Sequence, residues 1–165
     1  MGVSGCGKST IGLAVAKQLD LDFVDGDTLH PPHNIAKMAR GEPLDDHDRA
    51  PWLEQVGGRL AEPGVLVACS SLKRAYRDLI RAKAGGPVTF LFLAGGRETL
   101  LARMSVRPGH FMPASLLDSQ LATLEPPGAG EDVVTASIED GPAQIVERFV
   151  EAVARRNART RQHRR

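Results

Sequence analysis

Gly2, Gly7, Lys8 and Ser9 complete the pattern G-x-x-x-x-G-K-[ST] within the stretch GVSGCGKST, an arrangement suited to holding nucleotide phosphates. Its chemistry follows from its parts. Gly2, Gly5 and Gly7 let the backbone curl, so that successive N–H groups along Gly2, Val3, Ser4, Gly5, Cys6, Gly7, Lys8, Ser9 and Thr10 can turn toward phosphate oxygens. A helix beginning near Lys8 would add the positive end of its dipole. The Lys8 ammonium would reach the β- and γ-phosphates of ATP, and the Ser9 hydroxyl could ligate Mg²⁺.

The next residues able to do chemistry are Asp25 and Asp27, separated by Gly26. No N-K-x-D guanine motif is present, and the apolar run VLVACS ends in Cys69 and Ser70 where a motor or transporter ATPase needs an acid. Carboxylates on the first visible strand suit a small-molecule kinase. Asp25 would place the metal or take a hydroxyl proton, while Asp27 holds the acceptor. His30, Asn34, Lys37 and Arg49 follow in the same segment and mix cations with groups able to accept from hydroxyls. His30, before two prolines, could equally cap a turn. Ser70, Lys73 and Arg77 follow a strand end, the side of an open α/β sheet on which ligands bind. A helix-face ion pair between Arg77 and Asp78 is the competing reading. Arg103 and Arg107 are one helical turn apart in RMSVRPGHFMP; with His110 this stretch resembles the lid of related kinases, at about 105–114, which would close over ATP and exclude water. Two solvated arginines are the bland alternative.

These residues need a scaffold. Helical patterns run over 9–19, 32–41, 45–64, 73–84, 97–107, 113–125 and 142–156, with Asp45 or Asp48 as an N-cap and Pro51 in a first turn. Apolar runs at 21–24, 65–69, 88–93 and 132–137 read as strands covered on both faces, hence an α/β fold with a parallel sheet. Trp52 reads as a core anchor. The 165 residues suffice for one domain, 42% of them hydrophobic and 25% charged; the net charge of +1 argues against a general polyanion binder. Two cysteines give no disulfide framework, so a reduced, cytoplasmic setting is expected. No apolar run has the length of a membrane span. The domain is expected to occupy 1–153, and 154–165 to be a basic, disordered tail rather than a nucleic-acid binder.

Together, GVSGCGKST, DGDTLHPPHNIAKMARGEPLDDHDRAPWL, CSSLKRAYRDLIR and RPGHFMPASLLDSQLATLEPP resemble the bacterial gluconokinases, in order from Met1 to about Pro127. The second block is the most specific. Leu121, where an aromatic residue is expected, is a small departure. The resemblance implies a three-layer, nucleoside-monophosphate-kinase-like P-loop fold with a parallel sheet of order 2-3-1-4-5. It also implies ATP- and Mg²⁺-dependent phosphorylation of D-gluconate on its 6-hydroxyl, and leaves a homodimer open. A shikimate-kinase-like enzyme for another hydroxy acid is the runner-up. A nucleotide-binding protein without catalysis is the alternative from another class. In that sheet order the strand delivering the phosphate loop is central, yet no strand precedes Gly2. The expectation is that Met1 is an internal methionine of a protein carrying a short apolar strand upstream. The sheet should then be gapped or collapsed between Val65–Cys69 and Val88–Leu93.

Overall fold

The computed structural model describes residues 1–105 and 114–162. Its elements alternate in chain order: α1 (Lys8–Leu19), β1 (Asp22–Asp25), a 3₁₀ turn (Gly26–Leu29), α2 (Pro32–Ala39), α3 (Asp46–Leu60), β2 (Val65–Ala68), α4 (Arg74–Ala84), β3 (Phe90–Ala94), α5 (Arg97–Ser105), α6 (Ala114–Thr123), β4 (Val133–Ser137) and α7 (Pro142–Gln162). Each expected strand is present within two residues of its predicted bounds.

Local chemistry sets several boundaries. Helix α3 opens on a capping box: the Asp45 carboxylate accepts from the Asp48 N–H, and Asp48 from the Asp45 N–H. Pro51 therefore falls in the second turn rather than the first, where its missing N–H costs the helix one rung. Helix α4 ends at Gly85 in the left-handed region. Helix α7 runs on to Gln162, so residues 154–162, expected to be disordered, are helical. Once a helix is anchored, each further residue adds a hydrogen bond, and Ala, Arg and Gln are good helix formers. An Arg155–Glu151 pair one turn apart supports that extension.

The strands pair in parallel in two couples. Asp22–Asp25 run alongside Val65–Ala68, and Phe90–Ala94 alongside Val133–Ser137. One core cluster, on the α1 and α7 side, contains Val15, Leu93, Leu100, Ile138 and Phe149. Trp52, Val56, Tyr76 and Ile80 form another between α3, α4 and the sheet. Helices thus cover both faces.

Met1 and Gly2 lie between the two couples. The Gly2 N–H donates to the Ser70 carbonyl at 3.2 Å, and the Leu93 N–H donates to the Met1 carbonyl at 3.0 Å. The Met1 ammonium donates to the Leu91 carbonyl at 2.5 Å. Beyond them the sheet opens into a cavity of about 390 Å³, lined by Val15, Leu66, Val67, Phe90, Leu91 and Phe149 among others. This is the expected gap: β2 and β3 stand apart, and their inner edges face an apolar slot. No helix among the described residues is long and apolar enough to cross a membrane.

Candidate active site

The phosphate loop folds as its glycines require. Gly5 has a φ of +80°, and a Cβ there would come within 2.8 Å of the Met104 side chain, so both backbone and space demand glycine. Gly7, also left-handed, caps α1 with no side-chain hydrogen bond. The helix's first N–H groups are thereby left for an anion. The Lys8 ammonium donates to the Val3 carbonyl at 3.0 Å, folded back across its own loop. Ser4 departs from expectation: its N–H donates to Gln120 Oε1 at 2.7 Å, so it is directed at α6 and not into the phosphate cradle.

Strand β1 carries the acid pair to the same end of the sheet. The Ser9 hydroxyl donates to Asp25 Oδ2 at 3.4 Å, bringing together the two expected metal ligands. The Asp27 N–H donates to Asp25 Oδ1 at 3.1 Å, and the Asp27 side chain lies exposed two residues on. Gly26 allows this turn because a Cβ there would sit 2.4 Å from the Ala68 carbonyl oxygen at the end of β2. Trp52, buried as expected, donates its indole N–H to the Gly26 carbonyl at 2.8 Å and so ties the acid turn to α3.

His30 stacks on Trp52 with ring centroids 4.2 Å apart. Burial lowers its pKa below the ordinary histidine value, which favours the neutral ring. The Asn34 amide N–H₂ donates to the Asp48 carbonyl at 2.8 Å and lies 3.3 Å from His30 Nδ1, which accepts and leaves the proton on Nε2. Lys37 pairs with Asp48.

A second cluster gathers Arg49, Lys73, Tyr76 and Asp46. Lys73 Nζ lies 2.9 and 3.0 Å from the Asp46 carboxylate oxygens, and the Tyr76 hydroxyl donates to the same carboxylate. The Arg49 guanidinium and Lys73 ammonium sit 5.8 and 5.4 Å from the Tyr76 ring centroid, close enough to be attracted by its face. The hydrogen bond to Asp46 raises the Lys73 pKa; those from Tyr76 and then Lys73 lower that of Asp46.

Residues 4–154 match the shikimate kinase family. The thermosensitive gluconokinase of Escherichia coli strain K12 is 49% identical over 160 residues, 93% of this chain and 84% of that protein. A gluconokinase of Gluconobacter oxydans strain 621H is 45% identical over 155 residues, covering 91% and 86%. The chain belongs to the gluconokinase family. The crystal structure of a gluconokinase from Sinorhizobium meliloti 1021 superposes with a TM-score of 0.90 at 46% identity, over 99% of this chain and 94% of that one. A P-loop kinase fold shared with shikimate kinase accounts for the family match.

In this gluconokinase-family chain the structure separates the expected site residues into groups. Lys8, Ser9, Asp25 and Asp27 converge at the phosphate loop, while Arg49 and Lys73 share the Tyr76 ring. Ser70 contributes its carbonyl to Gly2. Arg77, expected to touch substrate, is instead 0% exposed. It donates to Glu131 through Nε and Nη2 at 2.6 and 2.9 Å, and to the Ser71 and Leu72 carbonyls at 3.0 and 3.2 Å. A buried cation so fully engaged braces the turn after β2 and has no access to substrate. Arg103 donates to the Ile138 carbonyl at 2.5 Å, at the end of β4. Arg107 and His110 lie outside the described residues. Asp46, Tyr76, Gln120 and Glu131 escaped sequence reasoning. Tyr76, three residues after the α4 N-cap Lys73, carried a usable signal; the others matter only through distant partners.

Proposed function

We propose that the protein transfers the γ-phosphoryl group of ATP to the 6-hydroxyl of D-gluconate, giving 6-phospho-D-gluconate and ADP. The observation that carries this reading is the meeting of Ser9 and Asp25 beside Lys8, with Asp27 exposed on the same turn, in a chain whose relatives are gluconokinases. An oxygen-only donor pair of one hydroxyl and one carboxylate fits Mg²⁺, which prefers one or two protein ligands together with substrate phosphates. Mg²⁺ held by Ser9 and Asp25 would supply charge that offsets the phosphates.

This chain's own groups supply the rest. Lys8 leaves the Val3 carbonyl for the β- and γ-phosphates, and the N–H groups at the start of α1 hold the transferring oxygens. Asp27 accepts from gluconate hydroxyls and orients O6. Arg49 and Lys73 offer positive charge to the sugar-acid carboxylate. As the O6–phosphorus bond forms, the bond from phosphorus to the β,γ-bridging oxygen breaks. The O6 proton passes to a carboxylate of the Asp25–Asp27 turn. Lys8 acts most strongly where charge develops, on the leaving and transferring oxygens.

ADP release by the purified protein with ATP and Mg²⁺, measured with gluconate, with shikimate and with no acceptor, tests this. Gluconate-dependent release is expected. Release that is faster with shikimate, or independent of acceptor, overturns it.

A further inference from the structure

The phosphate loop is held from outside as well as shaped from within. Gln120 on α6 makes two hydrogen bonds to one loop residue: Oε1 accepts from the Ser4 N–H at 2.7 Å, and Nε2 donates to Ser4 Oγ at 3.0 Å. The amide can be oriented only this way, because a backbone N–H can only donate. Met104 of α5 closes on Gly5 beside it, so α5 and α6 together grip the crest of the loop.

Helix α6 is a fixed post. Leu117 is fully buried in the core, and Leu121 packs against it one turn later. Beyond its last turn, the Glu125 N–H donates to the Leu72 carbonyl at 2.9 Å, and the Glu125 carboxylate accepts from the Arg74 N–H at 2.7 Å. At the other end, Arg97 of α5 grips Asp118 through two hydrogen bonds at 2.6 and 3.1 Å. Gln120 therefore presents its amide from a frame locked to both α5 and the turn after β2.

We propose that Gln120 is a positioning residue for nucleotide phosphates. By taking the Ser4 N–H out of the cradle, it fixes the peptide plane from which the rest of the loop curls. The N–H groups closing that curl, from Gly5 to Ser9, are thereby presented to the phosphates in one arrangement without first being ordered. Preorganised donors bind more tightly than donors that binding must itself order. Gln120 touches neither phosphate nor acceptor in this role; it acts through Ser4.

The inference rests on reading Gly2–Thr10 as the phosphate site, so the test begins with ADP titrated calorimetrically into the unaltered full chain. Gln120→Ala should weaken ADP about tenfold, the scale of a pair of neutral hydrogen bonds. It should raise the ATP KM similarly, while leaving the gluconate KM within about twofold. Gln120→Glu still accepts from the Ser4 N–H and can accept from the Ser4 hydroxyl. In about 0.5 M salt, where its added charge is screened, it should bind ADP more tightly than Gln120→Ala does. Ser4→Ala, which keeps the N–H contact, should lose less than Gln120→Ala. Unchanged ADP affinity in Gln120→Ala, or equal loss in the Ala and Glu variants, overturns the role of Gln120 alone. Failure of the unaltered protein to bind ADP overturns the phosphate site as well.

Discussion

Lys8 and Asp27 are proposed to share one site yet to answer to different ligands. The Lys8 ammonium donates to the Val3 carbonyl, and Lys8 belongs to neither core cluster, so in the proposed role its charge serves the phosphates. Lys8→Met should lower kcat about a hundredfold or more and leave the melting temperature within a few degrees; near-native turnover would refute the ATP site. Asp27 is exposed and engages its surroundings through its backbone N–H and carbonyl. Asp27→Asn should therefore raise the gluconate KM about tenfold or more, with ADP affinity unchanged in calorimetry. Equal losses for both ligands would move Asp27 to the metal. Asp25 cannot be tested so simply, because its carboxylate also caps the 3₁₀ turn.

At the scale of elements, the fold rests on contacts that fasten loops to helices. Glu131, just before β4, and Arg77, on α4, have side chains only 1% exposed, and Arg81 reaches the same carboxylate at 3.2 Å. The Arg77 hydrogen bonds hold the Glu131 pKa down at about 2, against an ordinary 4.5. A carboxyl that is more acidic in the folded state binds fewer protons there than when unfolded. Its stabilisation is complete above about pH 4.5 and is lost as pH falls from there toward 2. Glu131→Gln leaves Arg77 buried beside an uncharged partner and should cost about 3 kcal/mol at pH 7. Urea unfolding followed from pH 7 to pH 2.5 should show the native and variant stabilities converging. A constant difference across that range would mean the pair contributes no pH-dependent stability.

For the molecule as a whole, the determining feature is the slot between β2 and β3. Two sheet edges face a cavity of about 390 Å³ in which the Met1 amine is buried, and burial lowers its pKa to about 6. An unfolded chain holds that proton up to about pH 8, so this amine makes stability rise between pH 6 and 8. Its cost reflects a charge placed where a strand's amide would be at ease. An apolar segment of about five residues joined ahead of Met1 would pair with both edges at once. It should raise the melting temperature by several degrees, slow hydrogen exchange at Val65–Ala68 and Phe90–Ala94, and abolish the amine's pH dependence. An extended chain that melts and exchanges like the 165-residue one would show that the slot does not accept a strand.

The residues that announce themselves in the sequence are those whose chemistry is local. Gly2 to Ser9 form a phosphate loop because the curl and the helix start lie within a few bonds of each other. The Asp25–Gly26–Asp27 turn, the Asp45–Asp48 capping box and the alternation of apolar strands with amphipathic helices are likewise short-range. They were enough to read the fold class and the kind of chemistry. What only the tertiary structure decided is how side chains with several potential partners divide among them. Arg77 went to Glu131, 54 residues away, because a buried guanidinium requires a buried carboxylate. Lys73 went to Asp46 rather than standing free, and Ser4 went to Gln120 across 116 residues. A cation or an amide in a sequence carries no record of which distant group will satisfy it; burial makes that choice when the elements pack.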